Sequence, residues 1–186
     1  MSKFILSPLF LSLFIVSCAN TNPSDAPTTE NTVQPVSYIG TGTLNIAPVV
    51  FAKDLQVREA VRNECQLLTK LPGFVQSYAQ DQYAGINLNA KRSTKSDFLE
   101  IKIIDLPKYK KNAWAGRGGQ WVTVKGFLLR KGKKTVTFTA NRGSMGGFMG
   151  AYKGTCALLG RCTKALGNDI AEWLKNPVDG ASLGDM

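Results

Sequence analysis

The sequence predicts an α+β fold: a two-layer sandwich in which one mainly antiparallel sheet of about five strands is covered on one face by two helices. Three observations lead there. Helical apolar periodicity occurs early and late in the chain, and alternating apolar and polar residues fill the stretch between. Consecutive strands flanked by helices favour helices gathered on one side of a sheet. At 186 residues, with 44% hydrophobic and 9% aromatic content, the chain suits one folded domain.

Leu44 and Ile46 alternate with Thr43 and Asn45 ahead of Pro48, a strand pattern. Over residues 54–80, Val57, Ala60, Val61, Cys65, Leu68 and Leu71 recur every three or four positions, one apolar face of a helix. Leu71-Pro72-Gly73 is expected to interrupt it, leaving a shorter second helix to residue 80. Strand patterns follow at residues 86–90, 99–103, 120–129 and 134–141, the last two joined by a hairpin at Arg130-Lys131-Gly132-Lys133. Val136, Phe138 and Ala140 point one way and Thr135, Thr137 and Thr139 the other, which gives the sheet one wet face. Leu158, Cys162, Ala165, Leu166, Ile170, Trp173 and Leu174 mark a helix over residues 154–175, stopped by Asn176-Pro177.

Residues 1–17 read as a lipoprotein signal peptide, with Lys3 as the positive n-region and an apolar run from Phe4 to Val16 too short for a permanent membrane span. Ile15-Val16-Ser17-Cys18 resembles the bacterial lipobox, which makes Cys18 the acylated, palmitate-bearing first residue of the mature protein. Several acyl chains at about 0.8 kcal/mol per buried methylene would anchor it stably. The alternative is an ordinary secretory signal with Cys18 lost or unmodified. Residues 18–37, rich in Pro, Thr and Asn, lack the apolar content for a core and form a flexible tether of roughly 60 Å when extended. The domain occupies residues 38–175, and residues 176–186 are expected to be a disordered tail.

This layout of lipobox, tether, strand, helix, strands and a glycine-rich turn (Gly143 to Gly154) into a terminal helix resembles a group of small outer-membrane lipoproteins. They are related to the curli-secretion lipoprotein CsgG and the penicillin-binding-protein activator LpoB. By resemblance to sorted lipoproteins, Ala19 after the modified cysteine implies the outer membrane, with the periplasmic side favoured over the cell surface. No segment resembles the membrane-spanning hairpins of CsgG, and no peptide matches a synthase-binding patch.

With no histidine in the chain, Ser-His-Asp and Cys-His catalysis and His-ligated zinc drop out. The remaining thiols are Cys65, Cys156 and Cys162. Cys156 and Cys162 on one helix stand about 9 Å apart, beyond disulfide reach, so Cys65 pairs with Cys156 or, alternatively, Cys162. Gly146, Gly150 and Gly154 form a GxxxGxxxG repeat, a candidate packing groove. Lys153 stands in the wrong place for a phosphate-binding loop.

The net charge of +10 is local. Residues 91–164 hold 17 of the 23 Lys+Arg but only 3 of the 13 Asp+Glu. The excess gathers at Lys91, Arg92 and Lys95; at Lys108, Tyr109, Lys110, Lys111, Trp114 and Arg117; and at Arg130, Lys131, Lys133 and Lys134. These loops are expected to form a basic, partly aromatic rim on the sheet. The acids among them, Asp97, Glu100 and Asp105, offer no convincing acid–base pair.

The leading expectation is a non-enzymatic envelope lipoprotein, an accessory, assembly or binding factor whose basic surface meets an anionic envelope polymer or an acidic protein. No cofactor or metal is expected, and nucleic acid is disfavoured as a partner. The competing classes are an enzyme acting on an envelope polymer and a structural homo-oligomer packed through the glycine-rich segment.

Overall fold

The computed structural model describes residues 42–108, 119–131, 134–145 and 154–185, all within one compact unit, Val36–Met186. The elements run β1 (Thr43–Ile46), β2 (Val50–Phe51), α1 (Glu59–Glu64), α2 (Leu67–Ala79), β3 (Gly85–Leu88), β4 (Asp97–Asp105), β5 (Gln120–Arg130), β6 (Lys134–Ser144), α3 (Thr155–Lys175) and β7 (Ala181–Gly184).

Among the described residues the strands make one sheet in the order β3-β1-β4-β5-β6-β7, with β2 pairing on β4 beyond the end of β1. β4, β5 and β6 form the antiparallel centre, as their alternation predicts, while the flanking β1, β2, β3 and β7 pair in parallel. β2 and β7 are additions to the five strands expected.

Alternation decides which face is buried. Leu99, Ile101 and Ile103 of β4, Val122, Val124 and Leu128 of β5, and Val136, Phe138 and Ala140 of β6 all point beneath the helices. There they meet Leu71, Val75 and Ala79 of α2 and Leu159, Leu166, Ile170 and Leu174 of α3. Each such side chain contributes about 1.5–3 kcal/mol on leaving water. The two-layer sandwich is therefore set by the period of two in the strands meeting the 3.6 period of the helices.

Two glycines allow this packing to close. On β5, Gly126 lies opposite Phe138, and a Cβ there would come within 2.5 Å of the Phe138 ring and 2.8 Å of the Glu100 carbonyl oxygen. The ring fills that space and tilts against Trp173 of α3, with centroids 4.7 Å apart. On α3, Gly167 sits against Phe74 and the backbone of Val75, so the two long helices approach closely there.

The helix break expected at Leu71-Pro72-Gly73 falls instead at Gln66, which adopts a left-handed backbone (φ 55°) between α1 and α2. Pro72 lies buried inside α2. A proline there forfeits a hydrogen bond and costs about 3 kcal/mol, but the continuous buried stripe Leu67, Leu71, Val75 and Ala79 outweighs it.

The carboxy-terminal stretch expected to be disordered forms β7, parallel to β6 from Phe138/Ala181 to Asn141/Gly184. Specific bonds hold this polar segment. Trp173 Nε1 donates to the Val178 carbonyl (3.0 Å), and Asp179 accepts from the Thr137 amide (2.8 Å) and hydroxyl (2.9 Å). Arg142 spans Asp169 of α3 and Asp185 beyond β7.

Candidate functional site

The hairpin between β5 and β6 brings Arg130 and Lys131 to one end of the sheet, where Lys131 turns the chain with a positive φ of 43°. The adjacent loop, running from Ala90 back to β4, carries exposed Lys91, Arg92 and Lys95. A buried carboxylate joins the two. Asp97, only 4% exposed, accepts the Lys131 amide at 3.1 Å and faces the Arg130 guanidinium at 3.9 Å. Beside it Ser96 accepts from Asn45 Nδ2 (2.8 Å), whose Oδ1 in turn accepts from Asn87 (3.0 Å). Satisfied polar groups are stiff when buried, so these bonds tie the hairpin to the start of β4 while Lys91, Arg92, Lys95 and Lys131 stay exposed.

Among the described basic residues, Lys108 stands apart from the hairpin cations. Lys108 follows β4 and lies at the opposite end of the sheet, because β4 runs away from the hairpin. Tyr109, Lys110, Lys111, Trp114, Arg117 and Lys133 lie outside the described residues, as does the side chain of Lys134. Cys18, Gly146 and Gly150 do so as well. Gly154 is described: it precedes α3, and a Cβ on it would meet open space, so it makes no close helix approach. That role belongs to Gly167, which sequence reading passed over because an isolated glycine in a helical stripe carries no packing signal.

A disulfide joins Cys65, at the end of α1, to Cys156, in the first turn of α3, with Cα atoms 4.7 Å apart and a sequence separation of 91. Cys162, one of the two candidates for that pairing, is a buried free thiol that donates weakly to the Gln120 carbonyl at 3.4 Å. Burial raises it to a pKa of about 11, so it is protonated and inert near neutrality. Among the described residues no three Cys, Asp or Glu side chains gather as a metal site.

The open face of the sheet is less polar than a simple wet face. Phe98 and Leu129, paired across β4 and β5, cluster with Ala47 and Phe127. Further along, a groove of about 180 Å³ runs between Ile104, Phe127 and Thr137, with Lys102, Lys125 and Glu100 around it. The signal was present in the sequence as the pairs Lys102/Ile104 and Lys125/Phe127 on the polar phase of their strands. A larger, shallow hollow of about 430 Å³ lies between α2 and β3, lined by Gln76, Ser77, Tyr83 and Gly85 and by no charged side chain.

These features define a two-layer α+β domain with helices on one face, an uncovered sheet face on the other and a fixed basic cluster at one end. No family model and no curated protein matches the chain. Among solved structures, the chain is similar to an uncharacterised protein at 12% identity and a TM-score of 0.53, over 73% of this chain and 93% of that one, which shows a shared fold. A DUF330 protein from Xanthomonas campestris matches at 15% identity and a TM-score of 0.45, over 76% and 88% of the two chains. A minor lipoprotein from Acinetobacter baumannii matches at 12% identity and a TM-score of 0.40, over 72% and 92%. No helix among the described residues is long and apolar enough to cross a membrane.

Proposed function

We propose that this chain is a non-enzymatic envelope lipoprotein, anchored through Cys18 in the outer membrane and facing the periplasm, that serves as an accessory or assembly factor by contacting an anionic component. The observation that supports it best is the clamp of Asp97 on the hairpin, which holds Arg130 and Lys131 beside the loop bearing Lys91, Arg92 and Lys95. Fixed cations at one end of a domain concentrate field there, where scattered ones would be dispersed. The lipobox supports the anchor, and the order of elements supports kinship with CsgG- and LpoB-like lipoproteins.

The test is retention of the purified domain on an anionic polymer at low and high salt. Retention that falls with salt and with the combined Lys91→Ser, Arg92→Ser, Lys95→Ser and Lys131→Ser variant, while the polymer stays chemically unchanged, is the expected result. Covalent change in the polymer would replace this reading with the enzymatic one. For the anchor, radiolabelled palmitate should enter the natural chain and be absent from Cys18→Ala.

A further inference from the structure

The geometry points to the groove on the open sheet face as a docking site for an acidic polypeptide segment that inserts one large apolar side chain beside Phe127 and Ile104 and sets a carboxylate on Lys125. This deepens the accessory-factor reading and rests on it, since it names the class of partner and a second surface that meets it.

The lysines carry the first part. Lys102 and Lys125 are directly opposed in the β4/β5 register, an arrangement that like charges disfavour. Glu100 compensates Lys102 at 2.9 Å. Lys125 has no ion pair among the described residues and stands exposed in the middle of the face. An incoming carboxylate would relieve the opposition.

Apolar exposure carries the second part. Val50, 42% exposed, pairs with Lys102 and therefore shares its face, and Ile104 is 36% exposed at the bulge in β4. Ile104 and half-buried Phe127 line the groove, and Val50 adds apolar surface to the same face that the fold leaves uncovered.

Size and charge choose the occupant. Small-molecule sites run about 300–1,000 Å³. At about 180 Å³ this groove accommodates a single anchor side chain of the kind that dominates interface energetics. A second copy meeting face to face is a poor occupant, because Lys102 and Lys125 would meet their own like charges.

The experiment displays a library of 12-residue Glu/Asp segments, each with one randomised central position, to the purified domain. Large apolar residues should be enriched at the centre, and the selected peptides should bind about tenfold more tightly than their central-Ser counterparts. Lys125→Glu and Ile104→Ser, both at exposed positions, should remove that preference without lowering the thermal unfolding midpoint. No central preference, or a preference that survives both variants, overturns the proposal. So does a stronger effect of the variants on binding to phosphatidylglycerol vesicles, or on self-association by light scattering, than on peptide binding. If the sheet-end cations still give salt-sensitive retention on anionic polymer, the broader reading outlives that failure; if that retention is absent too, both fall.

Discussion

The guanidinium of Arg142 on β6 donates through Nε and Nη2 to both carboxylate oxygens of Asp169 on α3, at 2.7 and 2.8 Å, and through Nη1 to Asp185 at 2.7 Å. One side chain thus ties the sheet, the covering helix and the terminal strand. Only a planar fork makes the two parallel bonds to Asp169, and the two carboxylates raise the proton affinity of the guanidinium, so it stays charged. Arg142→Lys is expected to lower stability by about 1–2 kcal/mol, a modest figure because Arg142 is about a third exposed. Urea titration measures the loss. Faster amide exchange at Leu183 and Asp185 than in the core of β5 locates it, and unchanged exchange in β7 would show that Arg142 does not hold this strand.

Acid should loosen the same strand. The Gly143 amide, at 3.0 Å, and then the Arg142 guanidinium hold the Asp185 carboxyl below the ordinary carboxylate range. A depressed folded-state pKa supplies stability that is complete above the unfolded value of about 3.9 and is lost as pH falls through the folded value. Amide protection in β7, corrected for intrinsic exchange, should be level from about pH 5 to 8 and decline below about pH 4. Asp185→Asn should flatten that decline; a decline of equal size in the variant would assign it elsewhere.

Reduction separates the thiols by role. The Cys65–Cys156 bridge closes a loop of 91 residues, and its removal should cost about 2–5 kcal/mol. Before reduction, iodoacetamide should leave Cys162 unlabelled in the native domain at pH 7.5 and modify it once the domain is unfolded, as burial and the raised pKa require. Labelling of Cys162 in the native state would show that the helix α3 opens readily over β5.

Glycine substitutions should differ in sign. Gly167→Ala drives a methyl into Phe74, and Gly126→Ala drives one into Phe138 and the Glu100 carbonyl, so each should destabilise by about 1–3 kcal/mol. Gly160→Ala on the same helix meets nothing within 4 Å and should stabilise by up to about 1 kcal/mol through helix propensity. Thermal unfolding of the three variants gives the comparison directly. Equal effects at Gly160 and Gly167 would mean that α2 and α3 are not in close contact.

Periodicity made the central ladder and α3 legible from residues alone. Alternation in residues 99–103, 120–129 and 134–141 and the stripe from Leu158 to Leu174 depend on neighbours within one element, and local patterns survive translation into structure. Pro72 misled, because its local penalty is visible in sequence while the compensating burial of α2 is not. Polar residues 176–185 misled in the opposite direction. Their order comes from Thr137, Arg142 and Trp173, all contributed by β6 and α3.

By itself the sequence determined the two-layer α+β class, the local excess of positive charge and the restriction of disulfide pairing to Cys65 with one of two partners. The tertiary structure decided which partner, Cys156, by setting the Cα–Cα separation at 4.7 Å. It also sent Lys108 and the hairpin cations to opposite ends of the sheet, and it placed Lys125 opposite Lys102 beside an apolar groove. These outcomes depend on strand direction and register, which are set when distant segments share one core; a one-residue shift in β5 would turn Lys125 inward and reverse its whole face.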